Sequence, residues 1–140
     1  MRLVAFVLAL LFSVFCNAAP VSMFKPFQSA KRAPESIRSG ALAVQLDHDA
    51  LFAMQPGDAA AITLPNGRQV LGTYEHQVDY GGGIRSWVGY ITDQGTDYRV
   101  LLTQGPGGSY GWIYHPDGNW AIAPGEGHDW LVDIAAESLL

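Results

Sequence analysis

The histidines and serines are the residues of this chain whose side chains could carry out hydrolysis or bind a metal ion. A catalytic zinc site usually shows two ligands at close spacing, as in His-Glu-x-x-His, and the sequence has no such pair. A hydrolase serine often lies in a Gly-x-Ser-x-Gly frame, which the sequence also lacks. We therefore expect no catalytic residue, no metal ion, no cofactor and no enzymatic activity. The residues considered are His48, His76, His115, His128, Ser86, Ser109 and Ser138.

Aromatic side chains are the strongest candidate for a binding surface. Three of them occupy alternate positions, Tyr110, Trp112 and Tyr114, so a β-strand places them on one face. Rings on a sheet either fill its core or contact a protein or sugar partner. We expect the partner-binding residues to come from the set Trp87, Tyr110, Trp112, Tyr114 and Trp120.

Alternating apolar residues and frequent turn sequences predict that these rings are positioned by an all-β fold. Turns recur about every 8–12 residues, which is typical of an antiparallel meander closing as a sandwich or rolled sheet. Asn66-Gly67 predicts a two-residue hairpin turn. Asp47 can cap a helix, so we predict one short helix over residues 50–54, near the N-terminal edge of the sheet.

The N-terminal segment carries the features of an export signal. Arg2, an apolar run over residues 3–15 and small residues before position 19 predict a signal peptide over residues 1–18. Residues 19–39 form an extended leader, in which four basic residues face one acid. Residues 40–140 form the folded all-β module, and we expect the protein to be secreted or periplasmic, with no stable membrane anchor after cleavage.

Charge and cysteine content limit the partners further. The chain carries a net charge of −5, and its acidic residues concentrate in the module, which repels phosphate backbones. We therefore expect no nucleic-acid binding. The single cysteine, Cys16, leaves with the signal peptide, so the exported chain has neither a disulfide nor a reactive thiol.

Several phrases of the sequence resemble a known family. The residues are Ala43 to Asp47, Pro56-Gly57-Asp58, Ile62 to Arg68, Trp87 to Tyr90, Gly111 to Tyr114 and Pro116-Asp117-Gly118. Together they resemble the pro-region of bacterial secreted reprolysin-like (metzincin) zinc proteases, such as the peptidyl-Asp metalloendopeptidases. The zinc-binding helix and catalytic glutamate of that family have no counterpart here.

The resemblance implies a propeptide-like module that acts as a folding aid or an inhibitor of a secreted zinc metalloprotease, which would be its partner. An alternative hypothesis of another class remains open. It is a cell-envelope module that binds a glycan or a protein through surface aromatics. Buried tryptophans would count against glycan binding, and an exposed aromatic row would favour it.

Overall fold

The computed structural model describes residues 19–26 and 41–134. Among these residues no helix is long and apolar enough to cross a membrane. The elements in chain order are β1 (Val21–Ser22), β2 (Phe24–Lys25), β3 (Leu42–Leu46), α1 (His48–Phe52), β4 (Ala59–Thr63), β5 (Gln69–Gly81), β6 (Ile84–Ile91), β7 (Arg99–Gly105), β8 (Gly108–His115), β9 (Gly118–Pro124) and β10 (Asp129–Asp133).

The strands form one ten-stranded sheet with the order β1-β4-β5-β6-β7-β8-β9-β10-β3-β2. Strands β4 to β10 pair with their sequence neighbours and are all antiparallel, which confirms the predicted all-β meander. The sheet rolls into an almost closed barrel rather than a sandwich. A register shift in β5, between Tyr74 and His76, adds to the bend that rolling requires.

A short segment near the N-terminus joins the two edges of the rolled sheet. We call Val21–Lys25, which contains β1 and β2, the closing segment. Its first strand pairs in parallel with β4, and its second pairs antiparallel with β3. Between them the Met23 N–H donates to the Ala61 carbonyl, and the Asp47 N–H donates to the Met23 carbonyl, each at 2.9 Å.

The closing segment falls within the predicted leader, so the folded unit begins before residue 40. The amino-acid composition did not predict this pairing, because Pro20 and Pro26 border the segment and are typical of an unpaired chain. A strand of two residues is too short to show alternation, and here each such strand pairs with one longer strand. The predicted signal peptide, residues 1–18, lies outside the described residues, as do residues 27–39 of the predicted leader.

Large apolar side chains fill the barrel interior. Met23, Ile62, Trp87, Ile113 and Leu131 are all fully buried, and each comes from a different strand or from the closing segment. Burial of one such side chain contributes about 1.5–3 kcal/mol, so the interior is the main source of stability. The barrel wall therefore holds its outward side chains on a rigid support.

Two local predictions meet different outcomes. The short helix is confirmed, but it spans His48–Phe52 rather than residues 50–54, and the Asp47 carboxylate accepts the Ala50 N–H at 3.2 Å. The turn at Asn66-Gly67 differs from the predicted two-residue type, because that type requires a positive φ at the asparagine. Only Gly67 has one, at +82°, and the Gly67 N–H donates to Leu64, so Pro65 extends the loop to three residues.

Candidate functional site

The clearest surface feature of the barrel is the outer face of β8. Side chains of a strand point alternately to the two sides of a sheet, so every second residue of β8 faces solvent. Tyr110, Trp112 and Tyr114 remain 52%, 45% and 40% exposed, whereas Ile113 and His115 between and after them are buried. We call Tyr110, Trp112 and Tyr114 the aromatic strip.

Two rings of the aromatic strip lie close together, and apolar residues flank one of them. The Trp112 and Tyr114 rings lie 6.5 Å apart between centroids and are almost parallel, at 11°. On β7, Leu101 is the cross-strand partner of Trp112 and is itself exposed. On β9, Ala121 is its partner on the other side. Trp112 is therefore flanked on its two neighbouring strands by an apolar and a small side chain.

Charged groups close to the strip are paired with one another. Arg99, two residues before Leu101 on β7, forms an ion pair with Glu75 of β5. Arg68 forms another with Asp117, in the turn after β8, and this contact lowers the pKa of the Asp117 carboxyl. A partner that covers the strip would meet aromatic and apolar surface, and association would depend on its burial.

Two of the five aromatic residues singled out in the sequence lie inside the barrel. Trp87 is 0% exposed, and its ring stacks on Tyr74 with 5.3 Å between centroids. Trp120 is 6% exposed and packs near the His115 ring. The structure therefore brings Tyr110, Trp112 and Tyr114 together on one outer face and leaves Trp87 and Trp120 in the core.

Space for the Trp87 indole comes from a glycine on its own strand. A Cβ atom at Gly89 would lie 2.8 Å from the Trp87 ring and 2.4 Å from the Thr73 carbonyl oxygen. No side chain fits there without displacing backbone. Gly89 thus allows the largest side chain of the core to lie flat against the barrel wall.

A second candidate lies at one end of the barrel, where three residues from different elements meet. We call His48, Ser109 and Asp129 the end cluster. A hydrogen bond of 2.9 Å joins the Ser109 hydroxyl to His48 Nε2. The Asp129 carboxylate accepts backbone N–H groups of Ser109 and Leu46. These residues border a depression of about 510 Å³, which is also lined by the β7–β8 loop.

Burial shifts the titration of the end cluster. It lowers the pKa of His48, and the nearby Arg85 charge lowers it further, although Asp49 opposes this. Burial raises the pKa of Asp129 against the effect of its two backbone donors. The same Arg85 guanidinium lies 3.8 Å from the centroid of the Phe52 ring, which anchors α1 over this end of the barrel.

The end cluster holds several elements together. Ser109 is buried, and its hydroxyl is hydrogen-bonded to His48. The hydrogen bond between Ser109 and His48 links β8 to α1. The hydrogen bonds that Asp129 accepts link β10 to β3 and β8. Within the described ranges, 19–26 and 41–134, no three His, Cys, Asp or Glu residues converge as a metal site.

The sequence analysis did not predict two features of these sites. It treated His48 and Ser109 separately, because they lie 61 positions apart in the chain and no motif links them. It also omitted Leu101, which widens the aromatic strip. The alternation of β7 was visible in the sequence, but the register that sets Leu101 beside Trp112 depends on the loop between the two strands.

Residues 19–137 match the family model of the BamI lipocalin-like domain. The match spans more than half of the chain, and the protein therefore belongs to the BamI lipocalin-like domain family. Neither the search of curated proteins nor the search of solved structures gave a match. The lipocalin-like description agrees with the nearly closed barrel.

This membership shows that the resemblance to a metalloprotease pro-region is wrong. The implied propeptide-like role, protease inhibition and zinc metalloprotease partner are wrong with it. The phrases that carried the resemblance are strand and turn sequences. Pro65-Asn66-Gly67 forms the β4–β5 loop, and His115 and Gly118 enclose the β8–β9 turn, so an antiparallel barrel of another family uses them equally well. The envelope-module alternative comes closer to the family without matching it.

Proposed function

We propose that this protein is a non-catalytic binding barrel of the cell envelope that takes part in the assembly of outer-membrane proteins. The family to which the chain belongs supports involvement in that process and a periplasmic or outer-membrane-associated location. A lipocalin-like barrel is a binding fold, which supports a role without catalysis. The features of an export signal at residues 1–18 are consistent with this location.

The observation that carries the proposal is the aromatic strip on the outer wall of the barrel. Its partner is a protein component of the outer-membrane assembly machinery. Tryptophan and tyrosine dominate the energetics of protein interfaces, because they bury a large area and lose little side-chain entropy. Trp112 is the centre of the contact, since Tyr114 stacks on it and Leu101 lies directly opposite.

The ion pairs beside the strip predict how strongly partner binding depends on salt. Arg99 and Arg68 are already paired with acids on the barrel itself. Association by burial of apolar area is screened little by salt, in contrast with association steered by charge. We therefore expect partner binding to weaken by less than about threefold between 50 and 300 mM salt, because few net ion pairs would form.

Site-specific photo-crosslinking in cells tests the proposal. The full chain carries a photoreactive amino acid in place of Trp112, or in place of Tyr80, and crosslinked proteins are identified by mass spectrometry. Tyr80 is a matched control because it is the most exposed aromatic residue in the part of the chain that the structure describes, at 65%, and lies at the β5–β6 hairpin, away from the strip.

The expected result is a crosslink from position 112 to a component of the outer-membrane assembly machinery, with no such product from position 80. Crosslinks from both positions to the same abundant envelope proteins would contradict the proposal, as would a position-112 product unrelated to that machinery.

A further inference from the structure

The depression at the end of the barrel contains a buried carboxylate. Asp129 lines this depression of about 510 Å³ and is only 8% exposed. A carboxylate can accept about four hydrogen bonds, and Asp129 accepts the backbone N–H groups of Ser109 and Leu46. These two donors leave acceptor capacity on a buried charged group that faces the depression.

Burial makes the negative charge of Asp129 costly. Desolvation raises the pKa of its carboxyl, and the two backbone donors and the His128 charge oppose this only in part. The positive charges of Lys25 and Arg85 act on His48, where they add to the lowering of the pKa that burial causes. A cation beside Asp129 would therefore offset a desolvation cost that folding leaves in place.

The segment that joins β7 to β8 separates this depression from the aromatic strip. Residues 105–108 line the depression, and three of the four are glycines. Gly108 is required by the fold, because its φ is +127° and an added Cβ would lie 2.5 Å from the Pro124 Cβ. Gly107 has neither constraint, and its Cβ would meet Tyr110 Oη, its nearest neighbour, at 4.0 Å. The strip thus begins where the wall of the depression ends, and this wall carries few side chains.

We propose that an arginine side chain of the partner that covers the aromatic strip enters this depression and pairs with the Asp129 carboxylate. The inference rests on the proposed function, which supplies the partner. A guanidinium presents five N–H donors in a planar fork that matches a carboxylate, and it is more weakly hydrated than an ammonium. Gln45 and Asp49 also line the depression and carry further acceptor oxygens.

An anion fits this depression less well than a cation. Among the described residues that line it, Lys25 is the only lysine or arginine, whereas Asp49 and Asp129 are both acidic. Burial lowers the pKa of His48 below its ordinary value, so its ring is neutral at pH 7 and contributes no positive charge. An anion would also approach a buried carboxylate, which is unfavourable at low local dielectric constant.

A titration followed by nuclear magnetic resonance tests the site without the partner. The probe is Nα-acetyl-arginine methylamide, added to the ¹⁵N-labelled full chain, and the backbone amide signals of Gly107 and Ser109 are followed. We expect saturable shifts with a Kd in the millimolar range. Nα-acetyl-citrulline methylamide has nearly the same shape without the charge, so it should bind about tenfold more weakly.

Three outcomes of this titration would overturn the proposal. They are the absence of saturable shifts, equal binding of the citrulline probe, and binding of Nα-acetyl-lysine methylamide as tight as that of the arginine probe. The last would contradict the role of the planar fork.

Single substitutions locate the charge that holds the probe. Asp129→Asn keeps the shape and one acceptor oxygen, and we expect it to weaken probe binding about tenfold. Asp49→Asn is the matched control, because it removes an exposed charge from the same depression and should change the affinity by less than about twofold. Trp112→Ala should leave probe binding unchanged. Equal losses in the two asparagine variants would overturn the pairing with Asp129.

Crosslinking in cells tests whether the partner supplies the arginine. Asp129→Asn, introduced into the chain with the photoreactive residue at position 112, should reduce the partner product about fivefold, and Asp49→Asn should not. The urea midpoint of Asp129→Asn checks that the variant is folded, and the citrulline comparison does not depend on it. An unchanged product in Asp129→Asn would overturn the arginine contact and leave the proposed partner in place. Absence of the product from the unsubstituted chain would instead count against the proposed function.

Discussion

The two faces of β8 differ as sharply as any two regions of this molecule. On the inner face, Ser109, Ile113 and His115 are buried, and Ser109 and His115 each have a hydrogen-bonding partner. On the outer face, the aromatic strip retains about half of its surface in solvent. One strand therefore serves stability on one side and presents unburied aromatic area on the other.

The difference between the two faces is the basis of the proposed binding surface. The described interior is occupied by large side chains such as Trp87 and Met23, so its apolar area is already used in folding. The outer wall carries apolar area that folding leaves exposed. Contiguous exposed apolar patches on soluble domains commonly mark interaction sites. The outer face of β8 is thus a surface on which a partner could bury exposed apolar area.

Truncating the inner face should cause the largest loss of stability. Ile113→Ala removes a fully buried side chain and leaves a cavity, so we expect a loss of about 3 kcal/mol in the free energy of unfolding. Urea unfolding followed by tryptophan fluorescence measures it. A loss below about 1 kcal/mol would mean that the inner face of β8 is not part of a packed core.

Crowding the core from the barrel wall should cost somewhat less. Gly89→Ala places a Cβ atom 2.4 Å from the Thr73 carbonyl oxygen and 2.8 Å from the Trp87 ring, so we expect about 2 kcal/mol of destabilisation. The near-ultraviolet circular dichroism of Trp87 should change as well.

Gly105→Ala is the matched control for this change. Its added Cβ meets its nearest atom, in Ile84, at an ordinary 3.8 Å. We expect an effect within about 0.5 kcal/mol, as for surface substitutions in general. Equal effects of the two alanines would show that Gly89 does not accommodate the indole.

The end cluster should give the barrel a pH dependence. Because the pKa of His48 is lowered in the folded protein, the unfolded chain binds more protons just below the ordinary histidine pKa of 6.5. The contribution of His48 to stability is therefore complete above pH 6.5 and declines as the pH falls from there towards the lowered folded value.

His48→Gln removes this contribution. We expect its urea midpoint to fall less than that of the wild type between pH 7.5 and pH 5.5. Asp129, whose pKa is raised, acts in the opposite direction at lower pH and is unchanged in the variant. An identical fall in both proteins would show that His48 does not couple folding to protonation.

Truncating the outer face should have the smallest effect on stability and a large effect on partner binding. Trp112→Ala loses the cross-strand contact with Leu101 and the stacking on Tyr114 of the same strand, worth about 0.2–1 kcal/mol. Partner affinity should fall about thirtyfold, which corresponds to 2 kcal/mol at an interface hot spot. Calorimetry with the crosslinked partner, once purified, measures it. Tyr80→Ala should leave that affinity unchanged.

Much of the fold could be predicted from the sequence, because alternation and turn residues act locally. The alternation of Tyr110, Trp112 and Tyr114 predicted a shared face, and Asp47 predicted a capped helix. Closure into a barrel could not be predicted in this way. It depends on the closing segment pairing with strands about 20 and 40 residues further along the chain, and two-residue strands leave no periodic signal.

The candidate site shows the same limit. Sequence spacing identified the aromatic set, but it could not separate Trp87 and Trp120, which pack inside, from the strip outside. The buried tryptophans and the exposed strip both lie at alternating positions within strands. The direction in which the sheet curves decides which face becomes the interior. The family resemblance failed for a related reason, since phrases that encode hairpins recur in unrelated antiparallel proteins.

The most direct test of the aromatic strip as a binding surface is a complementation measurement. Cells lacking the native chain are supplied with wild type, with Tyr110→Ser/Trp112→Ser/Tyr114→Ser, or with Tyr80→Ser, each at matched levels. Folded outer-membrane proteins are then quantified by heat-modifiable mobility. We expect wild type and Tyr80→Ser to restore folded protein equally and the strip variant to fail. Full restoration by the strip variant would contradict it.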